Sequence, residues 1–372
     1  MFERVKAILQ EYLEKGLPYF DLCVYKDGKE LLRYMDGYAD LENKLPVRGD
    51  ERVNAYSNSK PVTVVAALQL WEKGLFDLED ELSTYMPEYK EMTVQTENGI
   101  VPAKNPIKIW HLFTMTAGFS YSLAGDWLEQ LRRDTDGRCP TREVARYLAK
   151  APLIYEPGTD YQYSLAHDVL AALVEVVSGK KFEVYVKESI FEPLGMTQSD
   201  FLIPMEDYER ISKQYFFRNG KAELERRNEF RFGSQHASGG AGMVSTVDDQ
   251  MKFAEALRTY QLLKKETVDM LSRNWLTLRQ LESFPQKEKY DYGLGMRTAK
   301  PGSARADFGW GGAAGMLLCV DIPHGISLVY GQQMRGFMNM AIRTRIYEAL
   351  LQDLGYDLQI NALTREEREL TY

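Results

Sequence analysis

A serine three residues ahead of a lysine, Ser57 and Lys60, opens a long apolar run in NAYSNSKPVTVVAALQL, residues 54–70. At the start of a helix these two positions share a face, so hydroxyl and ammonium can touch. The same helix end offers unpaired backbone N–H groups and the positive end of the dipole, which favour a nearby alkoxide or oxyanion. A lysine drawn out of water there can accept a proton, which equips a serine nucleophile without histidine. The bland alternative is a helix cap beside a solvated lysine, and spacing alone leaves both open. A second copy, Ser178 and Lys181 in VVSGKKF, stands beside Gly179 at the far end of its apolar run, where lysines suit the negative helix end.

Other chemistries find less support. The four histidines, His111, His167, His236 and His324, form no H-E-x-x-H and no close cluster with cysteine. There is no G-x-S-x-G elbow, no P-loop and no G-x-G-x-x-G between a strand and a helix. No metal or cofactor is expected. His111, in WHLF, reads as a packing or surface residue, and Asp168 as a cap of the helix that follows it.

Several elements must hold these groups in place. Phe2, Val5, Ile8, Leu9, Tyr12 and Leu13 trace one face of a first helix. Charges at Glu3, Arg4, Lys6 and Glu11 argue against a signal peptide or membrane span there. A hairpin turns at Lys26-Asp27-Gly28, and the helix headed by Ser57 is expected to run to about Lys73, with Gly74 as its stop. Residues 75–225 carry helical patterns broken by Pro and Gly, and Thr246 with Asp249 resembles a capping box. Strand signals return in YGLGMRTA, GMLLCVD and ISLVYGQQM, before a closing helix. Strands near both termini with helices between them predict a discontinuous α/β domain, 1–70 and 226–372, and a helical insertion domain, 71–225.

The formal net charge of -8 gives no basic excess for nucleic acid, so the expected partner is a small molecule, with neither nucleic acid nor membrane. Three widely spaced cysteines, Cys23, Cys139 and Cys319, suit a reduced, cytoplasmic protein. The tail TREEREL reads as a solvated segment.

Order along the chain decides between the two readings of Ser57. Downstream come IKIWHLFTMTAGFSY (107–121), YEPGTDYQYSLAHDVLAALVEVVSG (155–179), FEPLGM (191–196), GGAGMVSTVDDQMKFAEAL (239–257) and FGWGGAAGMLLCVD (308–321). In this sequence and order they resemble the serine β-lactamase and penicillin-binding-protein superfamily, in its class C-like, esterase-containing branch, from about residue 20 to 350. The resemblance implies an α+β fold: an antiparallel sheet flanked by helices, plus an inserted, mostly helical domain. It implies Ser57 as the acylated nucleophile, Lys60 as base or proton relay, and Tyr163 as the proton shuttle, with Tyr161 as the competing assignment. It further implies an oxyanion hole from the backbone of Ser57 and Ala313, next to Trp310-Gly311-Gly312.

Two departures narrow the expectation. The tyrosine motif of the family ends in Asn, and here that position is Leu165; the lysine of its K-T-G strand is Trp310. Loss of an amide and of a cation turns the site away from lactams and peptides and toward esters with an uncharged or hydrophobic acyl part. Trp127 is expected as a further substrate wall. A carboxylesterase is therefore the leading expectation. The alternatives are a weak β-lactamase, a D-amino-acid peptidase or acyltransferase on ester or amide substrates, and a non-catalytic binding module.

Overall fold

The computed structural model describes residues 2–122, 126–225, 228–337 and 339–358. The tail TREEREL lies outside them.

The helix begun by Ser57 is the centre of the molecule. α2 (Ser59–Glu72) buries every side chain from Ser59 to Leu68. Its sequence is apolar all round, as a helix surrounded by protein requires. A 3₁₀ turn, Tyr56–Asn58, precedes it, and Gly74 (φ +72°) follows it in left-handed geometry. α1 (Glu3–Glu14) runs along one face of an eight-stranded antiparallel sheet and buries Val5, Leu9 and Tyr12.

That sheet joins the two ends of the chain. It contains β1 (Tyr19–Lys26), β2 (Lys29–Asp40), β3 (Leu45–Pro46), β4 (Tyr290–Tyr292), β5 (Arg297–Ala299), β6 (Phe308–Gly311), β7 (Leu317–Asp321) and β8 (Ile326–Gly331), ordered β4-β5-β6-β7-β8-β1-β2-β3. β1 pairs with β8 from Asp21↔Gly331 to Lys26↔Ile326, so the N-terminal hairpin completes a sheet built from C-terminal strands. The turn between β1 and β2 falls at Asp27 and Gly28, both with positive φ, as a two-residue hairpin loop demands.

Strand alternation sorts side chains to two cores. Leu317, Cys319, Leu328 and Tyr330 face α1 and the C-terminal helix α5 (Asn339–Asp353). Leu318, Val320 and Val329 face the core that holds α2 and α3 (Ala166–Ser178). α4 (Val247–Arg258) starts where Thr246 Oγ1 accepts the backbone N–H of Asp249 at 3.1 Å. α3 ends at Gly179 in left-handed geometry.

Two local expectations are corrected. YGLGMRTA is not one strand: β4 and β5 flank a turn over Gly293–Gly295, and a Cβ on Gly295 would lie 2.3 Å from Val64 of α2. The middle of the chain also holds two hairpins beside its helices, Thr93–Thr96 with Gly99–Pro102 and Gln214–Arg218 with Lys221–Glu225. The latter pairs with Met334–Arg335.

Candidate active site

Ser57 is not a helix cap. The 3₁₀ turn carries it ahead of α2, whose N-cap is Asn58, and no side chain caps the helix. Tyr56, just before it, adopts φ +47°, a left-handed conformation costly for a bulky residue and found where surrounding structure enforces it. Here Tyr56 is fully buried, its hydroxyl accepts a hydrogen bond from Gln214 Nε2 at 2.8 Å, and its ring meets Phe230 edge-on.

Lys60 has no exposed surface. Its ammonium donates to Gly240 O at 2.7 Å, to the Tyr121 hydroxyl at 3.0 Å and to Ser57 Oγ at 3.3 Å, three partners for three N–H donors. It also lies 4.6 Å from the centre of the Tyr163 ring. The Tyr163 hydroxyl accepts from Trp310 Nε1 at 3.2 Å, and the two rings stack at 5.6 Å. Tyr161, the competing tyrosine, points elsewhere: it is buried edge-to-face between Phe284 and Tyr292.

The glycine strand meets the turn that carries Ser57. A Cβ on Gly312 would stand 2.0 Å from Ala55 O, so this backbone packs directly on the residues leading into Ser57. Ala313 follows Gly312 next to that contact, while Gly312 N donates to Met316 O at 2.7 Å. From α5, Arg343 reaches the same place: its Nη2 donates to Gly312 O, and a Cβ on Gly311 would come within 2.5 Å of its guanidinium carbon. Burial, with the nearby charge of Arg297, pushes Arg343 down to about 10. Arg343 thus lies behind the glycines that follow Trp310, bound to their backbone.

A loop threaded between α2 and α3 holds the lysine. Thr63 Oγ1 donates to Gly239 O at 2.7 Å, and Met243 N donates to Ser59 Oγ at 2.9 Å. Asp168 does not cap α3, whose N-cap is Leu165; it is buried and accepts from Ser238 Oγ at 2.6 Å, because the loop crosses its face of the helix. Leu165 itself is 2% exposed and belongs to the core. Trp127 is likewise a core residue rather than an open wall, 4% exposed and edge-on to Phe232. His111 is buried packing: Nδ1 accepts Lys108 N–H at 3.0 Å, and burial pushes it down to about 4.

Sequence reasoning missed Tyr121, Phe230 and Arg343. Tyr121 stands 5.4 Å from Tyr163 and 5.6 Å from Phe230, ring to ring, and burial raises its hydroxyl well above the usual phenol range. Nothing marks it among 23 tyrosines. The decoy Ser178 is half-buried at the end of α3, where its hydroxyl accepts Lys180 N–H at 3.2 Å.

Residues 5–350 match the Beta-lactamase family. The chain belongs to that family. It is a serine hydrolase of the β-lactamase family, esterase-like, with the β-lactamase/DD-peptidase fold. Esterase EstB of Burkholderia gladioli is 28% identical, over 92% of this chain and 94% of that one. The solved structure of EstCE1, a hydrolase with promiscuous acyltransferase activity, superposes with a TM-score of 0.75 at 25% identity, covering 93% of this chain and 98% of that one. Simvastatin synthase LovD from Aspergillus terreus shares the fold, with a TM-score of 0.77 at 22% identity over 94% of this chain and 98% of that one.

Proposed function

We propose that this β-lactamase-family hydrolase is a carboxylesterase that forms an acyl-enzyme on Ser57 from small or hydrophobic esters. The observation that carries the reading is Trp310: where a carboxylate-binding cation would stand, an indole stacks on Tyr163 and donates to its hydroxyl. Tyr121, Tyr163, Phe230 and Trp310 surround the Lys60 side of the nucleophile with aromatic surface, which suits an apolar acyl or alcohol group.

In this reading Ser57 Oγ attacks the ester carbonyl and its proton passes to the Lys60–Tyr163 pair. The carbonyl oxygen gains negative charge and is met by the backbone N–H groups of Ser57 and Ala313. Tyr163 returns the proton to the departing alcohol, and water, deprotonated by the same pair, then releases the acid. An acceptor alcohol in place of water would make the product a new ester. The acyltransferase activity named for EstCE1 supports this as a second outcome of the same acyl-enzyme.

Turnover of p-nitrophenyl acetate and butyrate, compared with a chromogenic cephalosporin, tests the substrate class. The expected kcat/KM for the esters exceeds that for the cephalosporin by roughly a hundredfold or more. Faster cephalosporin turnover would overturn the ester assignment.

A further inference from the structure

Behind the lysine lies a buried acid that the mechanism above does not use. Asp168 is 2% exposed, and its Oδ1 accepts a hydrogen bond from the Ser238 hydroxyl at 2.6 Å, with His236 Nε2 at 3.5 Å from the same oxygen. Its other oxygen faces the catalytic lysine. Oδ2 lies 2.6 Å, and Lys60 Nζ 3.5 Å, from the single point where a Cβ on Gly240 would stand. Residue 240 is thus the gap across which carboxylate and ammonium face each other. Its φ is not in the left-handed region, so the backbone alone does not require glycine there.

Charge supplies the reason for the arrangement. The three hydrogen-bond partners of Lys60 are a carbonyl, a phenol and an alcohol, all uncharged. A fully buried ammonium with uncharged partners is costly unless an anion stands near.

We propose that Asp168 is a positioning residue for catalysis: it holds Lys60 as the ammonium, whose charge over the Tyr163 ring favours transfer of the phenol proton away from Tyr163 and leaves the Tyr163 oxygen as the acceptor for the Ser57 proton. The transfer conserves protons, exchanging an amine and a phenol for an ammonium and a phenolate. Each product has its support in place. The ammonium has Asp168 behind it, and the phenolate has the Trp310 indole N–H in front and Lys60 over its ring. Burial works against the Asp168 carboxylate, but His236, Ser238 and Lys60 together hold it below the usual carboxylate range. Besides Lys60 and His236, the titratable groups facing Asp168 are Tyr121 and, on its own helix, His167, which burial pushes down to about 3.

The inference rests on Ser57 being the nucleophile but not on the identity of the ester. It is therefore read from the rate at which a fluorophosphonate labels Ser57 across pH, alongside ester kinetics. Asp168→Asn preserves shape and an acceptor for Ser238 while removing the charge. Folded Asp168→Asn is expected to label and to turn over ester roughly tenfold more slowly, with KM little changed. Without the anion the Lys60–Tyr163 pair releases its proton more easily, so the acid limb of the pH–rate profile moves to lower pH. Native labelling rate and native acid limb in that variant would overturn the proposal and leave Asp168 a purely structural group. Should Asp168→Asn fail to fold, Gly240→Ala keeps both charges and sets a methyl group between them. The same slowing is expected there, and native labelling in it would be equally contrary. A native protein that labels at Ser57 but ignores esters would sink the substrate reading alone.

Discussion

Tyr161 and Tyr163 differ by two positions in sequence and by everything in environment. Tyr163 lies beneath the Lys60 ammonium and bonds to Trp310, whereas Tyr161 fills a core between Phe284 and Tyr292. Tyr163→Phe should lower kcat by about a hundredfold or more, the scale of a lost proton-transfer group, while Tyr161→Phe keeps it within a few fold. Steady-state ester kinetics on the two variants check the assignment; the opposite ranking would move the role to Tyr161. Tyr121→Phe removes one of three partners of Lys60 and should slow turnover roughly tenfold without unfolding the protein. Near-UV circular dichroism together with kcat separates that loss from a packing effect. At this scale the sequence was legible where a motif carries its own geometry. Ser57 and Lys60 meet because three residues make about one helical turn. Tyr121 and Asp168 reach Lys60 from other segments, and no local spacing encodes such a meeting.

The glycine strand and the C-terminal helix pack as one element beside the turn that carries Ser57. β6 ends in glycine at 311 because the Arg343 guanidinium occupies the space a side chain would need, and glycine at 312 because Ala55 O lies against it. Gly311→Ala should destabilise the fold by roughly 1–3 kcal/mol through overpacking. In an Arg343→Ala background most of that penalty should disappear, since the obstructing group is gone. A double-mutant cycle in urea reads the coupling; strictly additive effects would show that Arg343 and Gly311 do not share this space. The strands, the hairpin turn, the Gly179 stop and the Thr246 cap were readable because each depends on alternation or on local turn chemistry. The split of YGLGMRTA into two strands was not, because Val64 of α2 decides where the turn must lie. Arg343 left a faint signal: it sits three and seven residues before Ile346 and Leu350, a cation on the buried face of α5.

Across the whole molecule, the pairing of β1 with β8 closes the chain around α2, so the helix that follows Ser57 is anchored by segments from both ends. The pattern of strands at the termini and helices between them made this closure legible. The hairpin at Gln214–Glu225 was hidden, because its partner strand lies more than a hundred residues later. Burial also leaves a mark on stability. His111 and His167 are held neutral, pushed down to about 4 and about 3, against a free value of 6.5. A folded-state value below the free one gives stabilisation that is present above pH 6.5 and lost as pH falls through the folded values. Unfolding free energies from urea titrations should therefore fall between pH 6.5 and pH 4, by an amount on the order of a few kcal/mol, and His111→Gln should lose less on acidification. A flat profile over that range would contradict the buried neutral histidines.

The central claim is that Ser57 is the nucleophile, activated by Lys60 without histidine. Incubating the protein with a fluorophosphonate and mapping the adduct by peptide mass tests it most directly. One adduct on Ser57 is predicted, absent from Ser57→Ala and much slowed in Lys60→Ala, while Ser178→Ala labels as the native protein does. Labelling that survives in Ser57→Ala, or that maps to another serine, would contradict it.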